Sequence, residues 1–204
     1  MIRNMFPTPV YFHTPKIEEI FLVQNEIKGA LDEINKDKFE RPDGWLEDIQ
    51  TNINSRKNTI ADFKLTNLHE YVKKHTYAYC QEIQPFIGKP IFMAHSWVNK
   101  SDKGQGQEWH SHSDSFISGV YYYQTSGEDG DIGLKNPVPQ AKQGLFPAGQ
   151  QVHEYEWFRP SPGMLILFPG WLEHQVQLNT TDETRITVAF NWLSDVEEEK
   201  RNAL

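Results

Sequence analysis

Between Lys89 and Trp192 the hydrophobic pattern of the chain has the period of strands, and this restricts its fold more than any other feature. Short runs, PIFMAHSWVN, FISGVYYYQ, DIGLKN, QVHEYEWF, GMLILFP, HQVQLN and TRITVAFNW, alternate with turn-bearing connections such as SDKGQGQ, TSGEDGD and PSPG. Such a series is what an all-β barrel or sandwich requires. Successive side chains leave a strand on opposite sides. In TRITVAFNW this gives Ile186, Val188, Phe190 and Trp192 one face, and Arg185, Thr187, Ala189 and Asn191 the other. The first face needs an apolar cover, and the second suits the lining of a cavity.

The cover is found upstream, where the period is helical. Thr14 and Pro15 read as an N-cap and first helical position, followed by a stripe of Ile17, Ile20, Ile27, Leu31 and Ile34. A second helix is expected from Asp62 to Ile83, with Leu65, Leu68, Val72, Tyr79 and Ile83 on one side. Both stripes are expected to pack on the outer face of one sheet. The 204 residues therefore read as one domain: 1–88 mostly helical support, 89–195 the β core, 196–204 a polar tail.

Composition narrows the setting. A net charge of -8 argues against a nucleic-acid backbone as the main partner, because such binding needs a basic surface. Cys80 is the only cysteine, which excludes an internal disulfide and fits a reducing cytoplasm. No apolar stretch reaches the roughly 20 residues of a membrane span, and MIRNMFPTPVYFHTP lacks the apolar segment of a signal peptide. A cytoplasmic protein is expected.

The chemistry is concentrated in EWHSHSDSF, which leads into a strand. His112 and Asp114 form an H-x-D pair there, and His174 follows the strand MLILFP and the corner Gly170-Trp171. Two histidines and a carboxylate on one face of an octahedral ion leave open positions, the arrangement of a non-haem Fe(II) site that binds oxygen and a co-substrate. Arg185 stands eleven residues after His174, on the mixed face of its strand. Its guanidinium could hold a carboxylate through charge-assisted hydrogen bonds of about 1.5–3 kcal/mol each.

These residues, in the order FPTPVYF, DGWLED, SWVNKSDKGQGQEWHSH, SGVYYY, PSPGMLILFPGWLEH and ETRITVAFNW, span most of the chain. The set resembles the Fe(II)- and 2-oxoglutarate-dependent oxygenases, and within them a branch found in marine bacteria and phages. The resemblance implies a double-stranded β-helix, or jelly roll, with helices packed on one sheet. It implies a dioxygenase of hydroxylase type that uses Fe(II), 2-oxoglutarate and O2, releases succinate and CO2, and acts on a small-molecule or peptidyl substrate. His112, Asp114 and His174 match the metal ligands, and Arg185 matches the partner of the distal carboxylate of 2-oxoglutarate. Tyr122 and Thr187 match further contacts to that co-substrate, with Tyr121 or Tyr123 replacing Tyr122 if the register slips by one. The pattern of the branch is H-x-H, which leaves His110 and His112 as an alternative ligand pair.

Plainer readings exist for each residue. Two of the three tyrosines are expected in the core, and His95, Trp97 and Asn99 share a face of their strand as ordinary core polar groups. His13, His69, His75 and His153 are scattered. A non-catalytic jelly-roll module would need none of the four site residues, whereas a cupin-like metalloenzyme would need the metal ligands but not Arg185.

Overall fold

The computed structural model describes residues 8–83, 90–138 and 154–194. Its elements run β1 (Tyr11–His13), α1 (Ile17–Ile34), β2 (Gln50–Thr51), α2 (Thr59–Asp62), α3 (Thr66–Ile83), β3 (Ile91–Ser101), β4 (Gln107–His110), β5 (Ile117–Gln124), β6 (Ile132–Lys135), β7 (Tyr155–Phe158), β8 (Leu165–Pro169), β9 (His174–Val176) and β10 (Arg185–Ser194). A six-stranded sheet has the order β1-β8-β5-β10-β3-β2, and a four-stranded sheet the order β4-β9-β6-β7. The strand pairs in both are antiparallel. The fold is mainly β, a jelly roll with helices on one sheet. The polar tail and residues 151–153 of QVHEYEWF lie outside the described residues.

Alternation along the central strands builds two apolar layers. Tyr121, Leu165, Leu167, Val188 and Phe190 face Val23, Ile27, Leu68 and Val72 of the helices. Tyr122, Ile166 and Phe168 point the other way, toward Ile132 and Leu134 of the smaller sheet. The six-stranded sheet is thus buried on both faces, and the cavity opens between it and the four-stranded one.

The first 88 residues do more than cover. β1 pairs with β8 and β2 with β3, so they extend the larger sheet at both edges. α1 begins at Ile17 rather than at Pro15, because Lys16 is extended and its N–H donates to the Glu19 carboxylate at 3.0 Å. Ile17 consequently lies outside the buried stripe and is 78% exposed, while Val23 joins it. The expected second helix starts later, as α3 at Thr66, and a separate single turn, α2, precedes it. Asn58 caps α2 by accepting from the Ala61 N–H at 3.1 Å, and Lys64, at φ 53°, breaks the helix before Thr66. The Glu26 carboxylate of α1 then accepts from the Asn67 and Leu68 N–H groups, tying the start of α3 to its neighbour. Among the described residues, no helix is long and apolar enough to cross a membrane.

Candidate metal and co-substrate site

β4 and β9 place two histidines side by side: His110 and His174 are direct partners in the sheet register. His112 lies just beyond β4, its N–H donating to the Gly170 carbonyl at 2.8 Å, while the Ser115 N–H closes the turn onto the His112 carbonyl at 2.8 Å. Gly170 is required by this approach, since a Cβ there would fall 2.2 Å from the Ser115 oxygen and 2.6 Å from that of His112.

The three rings converge, with centroids 4.1 Å apart for His110–His174, 5.1 Å for His110–His112 and 5.2 Å for His112–His174. Each offers a ligand atom, all within 4.8 Å of one another, so the group could hold a metal ion. Tautomers are fixed locally. Nδ1 of His110 meets the Glu108 carbonyl at 2.8 Å, and Nδ1 of His174 meets the Leu172 carbonyl at 2.9 Å. A carbonyl only accepts, so both Nδ1 atoms carry hydrogen and Nε2 keeps its lone pair. Burial lowers the proton affinity of all three, that of His112 to a pKa of about 4, which keeps the rings neutral near pH 7.

Asp114 sits differently. It is exposed, in the turn after His112, and accepts a hydrogen bond from Ser115 Oγ at 3.3 Å. Its charge is felt by His112, yet its carboxylate lies outside the group of converging ligand atoms.

Behind the histidines is a cavity lined by His110, His112, His174, Tyr122, Arg185 and Thr187 among others. The sequence-derived residues other than Asp114 therefore meet in one space. Arg185 is 3% exposed, and its Nη1 donates to the Asp129 and Gly130 carbonyls. Asp129 organises this back wall, its carboxylate accepting from Thr125 Oγ1 at 2.6 Å and the Ser126 N–H at 2.9 Å. Among the described residues no carboxylate forms an ion pair with Arg185, and burial lowers its pKa. A buried, unpaired cation is costly unless something anionic joins it.

Of the three tyrosines, Tyr122 lines the cavity, whereas Tyr121 faces the helices and accepts from Gln24 Nε2 at 3.0 Å. Thr187 pairs in register with Tyr122 on one side and Asn99 on the other, making a polar row across three strands. Asn99 and Trp97, expected as satisfied core groups, both line the cavity. Asn99 Oδ1 and Trp97 Nε1 are buried with no hydrogen-bond partner among the described residues.

Trp97, His112 and Asn191 also border a second, outer chamber whose other walls are polar: Asn54, Ser55, Arg56, Lys57, His95 and Asp114, with Ile53. Arg56 in its wall is anchored from behind. It is bound to Asp37 at 2.8–2.9 Å, and buried Asn52 bonds Thr59, Asp37 and the Val98 N–H.

Residues 95–191 match the model of a family described as "Putative 2OG-Fe(II) oxygenase". Among curated proteins none matches the chain. Several solved structures share the fold. A prolyl hydroxylase from Trichoplax adhaerens, in complex with a hypoxia inducible factor peptide fragment, has a TM-score of 0.61 at 11% identity, over 94% of this chain and 86% of that one. HygX from Streptomyces hygroscopicus, with nickel and 2-oxoglutarate bound, has a TM-score of 0.59 at 12% identity, over 91% and 82%. A Pseudomonas putida prolyl-4-hydroxylase has a TM-score of 0.56 at 13% identity, over 90% and 92%.

Proposed function

We propose that the chain is a 2OG-Fe(II) oxygenase, the family its residues 95–191 match, and more narrowly a hydroxylase of a polar substrate whose iron is held by His110, His112 and His174. The observation that carries this reading is a single cavity with lone-pair imidazoles at one end and a buried, unpaired guanidinium at the other. The donor set fits the group: imidazole nitrogen suits Fe(II), and three such ligands would leave the ion able to take further ligands from the cavity. The orphaned Asn99 Oδ1 and Trp97 Nε1 also fit a cavity meant to receive a polar ligand.

Bound iron, 2-oxoglutarate and O2 together supply an oxidant for a C–H bond, with succinate and CO2 as co-products. The chain's own residues bind and orient. Arg185 offers its guanidinium to the distal carboxylate of 2-oxoglutarate, and the Tyr122 hydroxyl and Thr187 stand beside it on the same cavity wall. Burial pushes the Tyr122 hydroxyl well above its ordinary pKa, so it stays a neutral donor. Neutral imidazoles keep their lone pairs toward the ion, and the apolar packing of Ile132, Phe168 and Val176 excludes water. The substrate enters by the outer chamber beside His112, where Lys57 and Asp114 offer both signs of charge to a polar small molecule or peptidyl group. The lone buried Cys80 supports a reducing, cytoplasmic setting.

His110 takes the place that the H-x-D spacing gives to Asp114. Iron content separates the two: His110→Ala should lose Fe(II) affinity by roughly 100-fold or more, while Asp114→Ala should bind as the wild type does. Loss in Asp114→Ala with retention in His110→Ala would restore the H-x-D site.

A further inference from the structure

His110 has a neighbour on its outer side that the site does not yet explain. Residues 41–50 leave and rejoin the sheet at a closed neck, where Glu40 and Thr51 exchange two backbone hydrogen bonds of 3.1 Å. The loop turns at Gly44, whose φ of 85° is the left-handed conformation that favours glycine. Beyond the turn, the indole of Trp45 stacks on the His110 ring, with centroids 6.2 Å apart and planes at 30°. At its far end the Asp48 carbonyl accepts from the Gly106 N–H at 3.1 Å, and Ile49 reaches the cavity wall.

What holds this loop is Glu108. Its carboxylate accepts the Leu46 N–H at 2.9 Å and the Glu47 N–H at 3.2 Å, while its backbone carbonyl accepts Nδ1–H of His110 at 2.8 Å. One residue thus fixes both neighbours of the imidazole: the acceptor behind its Nδ1 and the loop that carries the ring stacked on its face. A ring held at Nδ1 alone can still swing about that hydrogen bond; an indole on its face removes the swing. Leu46, between the two N–H donors, is 83% exposed, so the loop owes its place here to Glu108 and Trp45 rather than to apolar burial at its tip.

We infer that Glu108 and Trp45 are positioning residues for the metal, acting through His110, and that residues 41–49 form a strap that orients this ligand and covers its side of the site. With the His110 side covered, approach to the metal is left to the outer chamber beside His112. The inference rests on His110 as a ligand, so the test includes that residue.

Co(II) serves as the probe, titrated into metal-free protein and followed by its visible d–d absorption, with calorimetric melting of the metal-free proteins alongside. Glu108→Gln keeps the shape but puts an amide N–H₂ against backbone donors, and should weaken Co(II) binding roughly 10- to 100-fold and alter the absorption envelope. Trp45→Ala should weaken binding roughly tenfold, and Trp45→Phe, which keeps a ring on the imidazole, should restore most of it. If Glu108→Gln and Trp45→Ala melt lower but bind Co(II) with wild-type affinity and spectrum, the strap is only structural and the inference fails. If His110→Ala itself binds Co(II) normally, the ligand assignment fails first. Loss in His110→Ala with no change in the strap variants overturns the strap alone.

Discussion

Strand β10 serves two environments that follow different rules. Toward the helices it presents Ile186, Val188, Phe190 and Trp192, packed among apolar side chains. Toward the cavity it presents Arg185, Thr187, Ala189 and Asn191. The outer layer has polar exceptions, the partnerless Tyr71 hydroxyl and Trp192 Nε1, but it buries no side-chain charge of β10. On the cavity side the Arg185 guanidinium is buried with no carboxylate in an ion pair with it among the described residues, and the same cavity is lined by the three imidazoles. Burial on one face stabilises the fold. On the other it raises the energy of groups that a polar or anionic ligand would help to satisfy.

The largest effect should come from the buried cation. Arg185→Met should lower 2-oxoglutarate affinity by more than about 100-fold, two charge-assisted hydrogen bonds' worth, while changing unfolding free energy by less than about 1 kcal/mol. A large fall in stability with intact 2-oxoglutarate binding would make Arg185 a structural residue and erase the contrast between the faces.

On the outer side, His75 is buried on the inner face of α3, its Nδ1 2.7 Å from the Tyr11 hydroxyl. Burial, with the nearby His13, lowers its pKa to about 4. The unfolded chain, with an ordinary value near 6.5, binds the proton more readily, so stability rises with pH through this window. The contribution, up to about 3 kcal/mol, is present above about pH 6.5 and is lost as pH falls toward 4. Urea unfolding at several pH values should show this slope in the wild type and a shallower one in His75→Phe; equal slopes would remove His75 from the account.

Val188→Ala should cost about 2 kcal/mol of stability in denaturant unfolding without changing 2-oxoglutarate affinity, the reverse of Arg185→Met. Tyr122→Phe should be the mildest. Removal of one hydroxyl should weaken 2-oxoglutarate by roughly fivefold, about 1 kcal/mol, and calorimetric titration would show it.

Periodicity made the long elements legible, since β3, β5, β8 and β10 each bury both faces or alternate over several residues. β1, β2 and β4 were not legible, because they form only where a partner strand receives them. The break between α2 and α3 depends on a left-handed Lys64, a conformation that spacing does not reveal. At the site, His112, His174, Arg185, Tyr122 and Thr187 came from spacing and resemblance together, and the structure gathers them at one cavity. The H-x-D spacing favoured Asp114 over His110 as the second ligand, whereas the structure gathers His110 with His112 and His174. In H-S-H-S-D the residues that face inward depend on the irregular pairing between Gln107 and His110 and on the turn packed against Gly170, both tertiary features. Asn99 and Trp97 were misjudged because a polar group on a buried strand face reads the same whether a neighbour or a ligand satisfies it.

The most direct measurement is an anaerobic titration of Fe(II)-loaded protein with 2-oxoglutarate, watching for the weak visible charge-transfer band of the chelated keto acid, with Arg185→Met in parallel. A band that saturates in the wild type and needs far more 2-oxoglutarate in the variant is the expected result. Iron bound with no band would contradict the account in favour of a metalloenzyme that does not use 2-oxoglutarate, and folded protein that binds no iron would contradict it in favour of a non-catalytic module.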